Sequence, residues 1–200
     1  MILLIIRHGE SEADLLDVHE GRADFPLTER GHRQAQAMAE EVCLRYSITQ
    51  IYASTLTRAR QTVEHLSKET GAPVTFDEKL MEFNNGCLAG LPRDVARKKY
   101  PPVTNLPPDQ SVYGQESLME FRKRADDSLN TILQNHSDDE TVAVVTHGGM
   151  ISQLYHSFLN LPVNDGVFFG TGDTGIHVWK TEGNVRRILK ANMTEHIHGI

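Results

Sequence analysis

Two histidines of this 200-residue chain stand in the same local setting. His8 ends the apolar run Ile2 to Ile6 in Arg7-His8-Gly9, and His147 ends Val142 to Val145 in Thr146-His147-Gly148-Gly149. A neutral imidazole is a competent nucleophile near neutral pH. Glycines beside it let main chain come close to a ligand. Read singly, either histidine equally suits a strand end whose ring bonds a loop. Two arginines sharpen the reading. Arg7 abuts His8, and Arg58 lies just past a second apolar run, Ile48 to Ala53. A guanidinium is permanently charged and presents a planar fork that matches phosphate oxygens, although Arg58 alone equally suits a surface ion pair. No spaced set of cysteines or carboxylates accompanies these residues, so the group favours an oxyanion site over a metal site.

Such residues need a scaffold that brings them together. Residues 2–6 form a β-prone run apolar on both faces, as a strand covered on both sides requires. Thr28 is placed to cap a helix whose Ala35, Met38, Ala39, Val42 and Tyr46 share one face. Residues 48–53 predict a second strand, 57–68 a second helix with Ala59, Val63 and Leu66 inward, and 74–76 a short strand. Ser117-Leu118-Met119-Glu120 matches a capping box, opening a helix that aligns Phe121, Ala125, Leu129, Ile132 and Leu133. Residues 142–145 form another apolar strand, followed by a helix burying Ile151, Leu154, Tyr155 and Phe158. Residues 176–179 and 185–189 read as a hairpin around Glu182-Gly183-Asn184. Strands alternating with helices predict a three-layer α/β/α sandwich with a mainly parallel sheet and an antiparallel edge strand, residues 1–200 forming one domain. In open α/β sheets, ligands bind beyond the carboxyl ends of the strands, where His8, Arg58 and His147 are expected.

Bulk properties narrow the partners. A formal net charge of −7 argues against nucleic acid or an anionic membrane. No apolar stretch approaches the ~18 residues of a membrane span, and the N-terminus lacks the basic region and cleavage site of a signal peptide. Two cysteines, Cys43 and Cys87, suit a reduced cytoplasmic protein, with Cys43 expected as a buried thiol beside the first helix's apolar face. The hairpin's edge strand offers a surface for a homodimer.

The motifs resemble those of the histidine phosphatase superfamily, in its phosphoglycerate mutase-like branch. Arg7-His8-Gly9-Glu10-Ser11 matches the family signature, and the stretch from Gly21 to Gly31 matches a second motif. Ser54 to Thr62, Leu80-Met81-Glu82 with Gly86 and Leu88-Ala89-Gly90, and Val145 to Gly149 are similar to the rest. Five motifs in family order are far more specific than one tripeptide. The resemblance implies that His8 attacks phosphorus and becomes phosphohistidine. It implies that Arg7, Arg58 and His147, with Gly148, hold the phosphoryl oxygens, and that Glu82 protonates the leaving oxygen and then activates water. It implies a small phosphate ester as substrate, no cofactor and no metal.

Asp14 stands where the family usually has asparagine. With Gly21 it is a candidate substrate contact, turned away, protonated or bonded to a substrate hydroxyl, since a carboxylate repels a dianion. From Glu82 to His147 is 65 positions (147 − 82), shorter than in the family's mutases. A shorter cover admits water to a phosphohistidine, so hydrolysis is expected. Alternatives are a phosphoglycerate mutase, an α-ribazole phosphate phosphatase, and a silent module that docks phosphorylated proteins. Leu15, Phe25, Phe83 and Tyr113 suit an apolar wall for the ester or core packing. His196 and His198 are expected on a mobile tail. His19 and His32 are expected to be exposed or on a loop, while His65, His136, His156 and His177 show no partner in the sequence. Glu10 and Ser11 are expected to shape the signature loop.

Overall fold

The computed structural model describes residues 1–163 and 166–200. Strands β1 (Ile2–Arg7), β2 (Gln50–Ala53), β3 (Val74–Phe76), β4 (Thr141–Thr146), β5 (Ile176–Glu182) and β6 (Val185–Met193) form one sheet in the order β3-β2-β4-β1-β5-β6. The pairs β3–β2, β2–β4 and β4–β1 are parallel, whereas β5 runs antiparallel to both β1 and β6. The expected layering and mixed edge are therefore present.

Alternation along the strands fixes which helix covers which face. Leu3, Ile5, Val142, Val144 and Trp179 point to one side, where they pack with α5 (Leu118–Asn135) and α6 (Gly148–Phe158). Leu4, Ile6, Ile51, Ala53, Ala143 and Val145 point to the other, against α2 (Glu29–Arg45) and α3 (Thr57–Thr70). Caps set the helix starts. Thr28 Oγ1 accepts from Gly31 N at 2.9 Å at the head of α2. In the capping box of α5, Ser117 Oγ accepts from Glu120 N at 3.2 Å and Glu120 Oε2 accepts from Ser117 N at 2.7 Å.

Several details depart from expectation. A short helix α1 (Glu12–Leu16) and a further helix α4 (Arg93–Lys99) lie in stretches too polar for apolar periodicity to reveal them. Cys43 is exposed, not a buried thiol; it falls one residue past the inward-facing Val42, about 100° round the helix. The C-terminal segment is ordered rather than a loose tail. It forms a 3₁₀ turn (Glu195–Ile197) packed on α2, and His196 Nε2 lies 2.9 Å from Thr174 Oγ1. No helix among the described residues is long and apolar enough to cross a membrane.

Register is what matters for the site. In the parallel β1–β4 ladder Arg7 pairs with Thr146, so the next residues, His8 and His147, leave the same sheet edge side by side. The strand order also reverses here, with β4 and β5 on opposite flanks of β1, which makes a crevice at the carboxyl edge.

The core should respond accordingly. Leu4 is fully buried at the centre of β1, so Leu4→Ala is expected to lower unfolding stability by about 3 kcal/mol in urea titration. Leu15 is 69% exposed, and Leu15→Ala should change stability by less than about 0.5 kcal/mol.

Candidate active site

His8 is buried and its tautomer is set by its own neighbourhood. Its Nδ1 lies 2.7 Å from Gly9 O, an acceptor only, so Nδ1 carries the proton. Nε2 is left with a lone pair, 3.2 Å from Arg58 Nε. Burial, then Arg58, then Arg7 hold the imidazole well below its usual pKa. The ring is neutral across the physiological range, with its nucleophilic nitrogen facing a guanidinium.

Arg58 is also fully buried, on the first turn of α3. Its Nη2 donates to Gly21 O at 2.7 Å and its Nη1 to Ala23 O at 3.1 Å. The 20–24 turn is pinned in return, because Asp24 accepts from Thr57 N at 2.6 Å and Thr57 Oγ1 at 2.8 Å. Gly21 sits at φ +51°, and a Cβ there would meet Asn85 Nδ2 at 2.5 Å. Gly21 thus serves the site by its carbonyl, seating Arg58.

His147 completes the cluster. Its ring centroid is 5.0 Å from that of His8, and Nε2 lies 2.7 Å from Ser54 Oγ at the end of β2. Among the described residues, its buried Nδ1 has no hydrogen-bond partner. With Ser54 donating to Nε2, Nδ1–H becomes a donor reserved for a ligand oxygen. Burial and the charge of Arg58 keep this ring neutral too. His147 is the N-cap of α6, so the positive end of that helix and the main chain of Gly148 border the same space.

Arg7 reaches the cluster beside Gly148, where a Cβ would lie 3.9 Å from its Nε. Its Nη1 is 3.1 Å from Asp173 and donates to Thr171 O at 3.0 Å, and its Nη2 is 3.7 Å from Asp14. Arg7, His8, Arg58 and His147 are therefore brought together. Glu82 joins them: its Oε2 accepts from Gly149 N at 2.9 Å and its Oε1 from Phe83 N at 2.7 Å.

Asp14 stands at the rim, with Oδ1 3.7 Å from Arg7 Nη2. Its Oδ2 accepts from Ser11 N at 2.9 Å, closing the start of α1, and its side chain is more than a third exposed. Glu10 does shape the loop, accepting from Thr28 Oγ1 at 2.7 Å and Arg30 Nη1 at 2.6 Å. Of the four apolar residues weighed as a wall or as core, three have other surroundings. Phe83 packs edge-on against Phe121 in the core, Leu15 faces solvent, and Tyr113 donates to Pro101 O beside Tyr100. His65, His136, His156 and His177, and with them His32, do have partners. His32 Nδ1 lies 3.2 Å from His65 Nε2, Tyr52 Oη 3.0 Å from His136 Nε2, and Tyr155 Oη 2.7 Å from His177 Nδ1. His156 Nδ1 lies 2.6 Å from Ser152 O, so these rings serve packing.

Three participants were missed in the sequence. Glu20 puts Oε1 3.2 Å from Arg58 Nε and Oε2 3.9 Å from His8 Nε2. Ser54 fixes His147. Arg124, on α5, clamps the acid's loop: it donates to Lys79 O at 2.7 Å, Met81 O and Glu82 O at 2.8 Å, and pairs with Glu116 at 2.7 Å. An acidic residue following a glycine-poor turn, or an arginine in a helix face, carries no local signal of such work. Among the described residues no group of three or more metal-binding side chains occurs.

Two buried imidazoles, the buried Arg58 guanidinium and the half-buried Arg7 thus meet at the carboxyl edge of the sheet. Residues 3–194 match the family model for the histidine phosphatase superfamily, branch 1. The chain belongs to that superfamily. It is 28% identical to phosphoserine phosphatase 1 of Hydrogenobacter thermophilus, over 98% of this chain and 93% of that protein. It is 34% identical to the 2,3-bisphosphoglycerate-dependent phosphoglycerate mutase of Brucella ovis, over 76% of this chain and 78% of that one. Among solved structures it is similar to a mycobacterial glucosyl-3-phosphoglycerate phosphatase in complex with VO3. There the TM-score is 0.84 at 26% identity, covering 96% of this chain and 98% of that one.

The Gly149 contact gives a direct handle on the Glu82 carboxylate and on the acid role expected of it. A Cβ on Gly149 would stand 2.4 Å from Glu82 Oε1, and the flexible carboxylate rather than the backbone must yield. Gly149→Ala should therefore keep its thermal midpoint within a few degrees while kcat on an alkyl phosphate falls at least about 100-fold. An aryl phosphate, whose leaving group needs little protonation, should lose less than about tenfold. Steady-state kinetics on both esters check this.

Proposed function

We propose that the protein hydrolyses small phosphate monoesters through a phosphohistidine on His8, without a metal ion. The observation that carries this reading is the His8 geometry: a buried neutral ring, proton on Nδ1, with the Nε2 lone pair beside the Arg58 fork. Phosphoryl transfer requires positioning and fixed positive charge more than elaborate proton chemistry. In the first half-reaction His8 Nε2 bonds to phosphorus as the bond to the ester oxygen breaks. Arg7, Arg58 and the Nδ1–H of His147 hold the non-bridging oxygens, and Glu82 gives its proton to the departing oxygen. In the second, Glu82 takes a proton from water as that oxygen attacks phosphorus and frees His8.

Two observations favour water over a second substrate as the acceptor. Two relatives aligned along nearly the whole chain, at 98% and 96% of it, are named phosphatases, whereas the match to the Brucella ovis mutase spans about three quarters of it. The cradle is also acidic: Asp14, Glu20, Asp173 and Glu82 surround two arginines. A bisphosphate primer, carrying more negative charge than a monoester, is disfavoured there. The phosphoglycerate mutase reading predicts primed turnover with little phosphate release. The silent-module reading has against it the complete set His8, Arg7, Arg58, Glu82 and His147.

Wild-type protein in EDTA should release phosphate from an aryl phosphate and from small metabolite esters, and His8→Ala should lose at least about 1,000-fold. A short incubation with ³²P-labelled ester, quenched in alkali, should leave an alkali-stable, acid-labile label on wild type and none on His8→Ala. Activity abolished by EDTA, or a label independent of His8, would refute the mechanism. Glu82→Gln should slow alkyl esters far more than aryl esters, and equal slowing would remove Glu82 from the acid's role.

A further inference from the structure

Glu20 lies where a phosphate should. Its side chain is less than a fifth exposed, with one carboxylate oxygen against Arg58 Nε and the other facing His8 Nε2. A phosphoryl group bonded to that nitrogen and held by that guanidinium would have to occupy much of the same volume. The carboxylate is thus an internal rival for the cradle.

It has little freedom to step aside. The main chain on either side is tied down, with His19 N donating to Leu91 O at 2.9 Å and Gly90 N to His19 O at 2.7 Å. Gly21 is fixed against Asn85. The charged and titratable groups around Glu20 come from each neighbouring element: Arg7 and His8 from the end of β1, Asp14 from α1, and Arg58 from α3. Asp14 is the like charge among them. The hydroxyl of Ser11 stands between the two carboxylates, 2.6 Å from Glu20 Oε1 and 3.1 Å from Asp14 Oδ2. It has one proton to give, so one carboxylate is left short of a donor.

Extending the phosphoryl-site reading, on which it rests, we propose that Glu20 binds phosphate esters only in its protonated form, as a hydrogen-bond donor to a phosphoryl oxygen. The proton is taken from solvent as the anion enters. Arg58 then exchanges its internal carboxylate for the phosphate, and Ser11 gives its single proton to Asp14. The neutral acid presents an O–H where an ionised one presents only repulsion. Burial already pushes the Glu20 carboxyl above its usual range, opposed by Arg58, so the proton is cheaper there than on an exposed glutamate. The sign follows: phosphate affinity is full below the pKa of Glu20 and weakens as pH rises through it, by up to about tenfold per pH unit. Glutamine in its place keeps a donor at every pH.

The test is calorimetric titration of inorganic phosphate into wild type and Glu20→Gln between pH 5 and 8, in buffers of differing ionisation enthalpy. The titration of phosphate itself is common to both proteins and cancels in their comparison. Expected is phosphate binding to Glu20→Gln at least about tenfold tighter than to wild type at pH 8. The two should converge to within about threefold at pH 5, with about one proton fewer taken up by the variant at pH 7. Equal or weaker binding by the variant at pH 8, or equal proton counts, overturns the role of Glu20 while leaving the phosphoryl site intact. Failure of both proteins to bind phosphate at any pH overturns the phosphoryl site and Glu20's role together. Should Glu20→Gln lose its fold by circular dichroism, Glu20→Ser, which removes the carboxylate, goes through the same titration with the same criteria at pH 8.

Discussion

A guanidinium with no solvent exposure constrains this molecule more than any other group. Ionised Arg58 is costly to bury unless its donors are met, and here they are met by Gly21 O, Ala23 O, the His8 ring and Glu20. Satisfying it dictates the path of residues 20–24, which must turn carbonyls inward, and it calls for the left-handed glycine that allows that turn. Burial first, and its charge second, hold two adjacent imidazoles well below their usual pKa. Glu20 is its ion-paired carboxylate, with Glu82, Asp24 and Asp14 adding to its support.

The Glu82 side of the site depends on a second, half-buried cation. Arg124 reaches from α5 to three carbonyls of the loop before Glu82, and Thr146 Oγ1 on β4 donates to Leu80 O at 2.6 Å. The loop carrying Glu82 is thus bolted both to the helix behind it and to the strand that delivers His147. His8 and Glu82 belong to different stretches of chain, yet both are referred to β4. A rigid frame of this kind suits the proposed reaction, in which the leaving oxygen and the attacking water approach the phosphorus from the side of Glu82.

What was legible in the sequence follows from these two facts. Strand ends, helix faces and caps announce themselves locally, and Thr28 and Ser117 cap as their side chains predict. His8 and His147 were placed by the strands they terminate, and Arg58 by the helix it opens. Glu20, Ser54 and Arg124 were not legible, because each acts on a residue distant in sequence and has no periodicity to mark it. Cys43 failed for another reason: helical position was read to within one residue, and one residue is enough to turn a side chain from core to solvent. His196 failed because a short polar terminus can still be held by single bonds, here to Thr174.

Charge bears on specificity as well. The net charge is −7, and the two arginines of the cluster are each paired with carboxylates, Arg7 with Asp173 and Asp14 and Arg58 with Glu20. Such a cradle attracts anions weakly at long range but can hold one well once the internal ion pairs are exchanged for it. The exchange replaces Arg58–Glu20 with Arg58–phosphate, so the net gain is set by the difference between two anions rather than by one attraction. A divalent phosphoryl group with three oxygens can engage Arg58, Arg7 and His147 at once, which one carboxylate cannot do. On the proposed phosphoryl-site reading this favours phosphoryl over carboxylate ligands, because a carboxylate offers Arg58 little that Glu20 does not already supply.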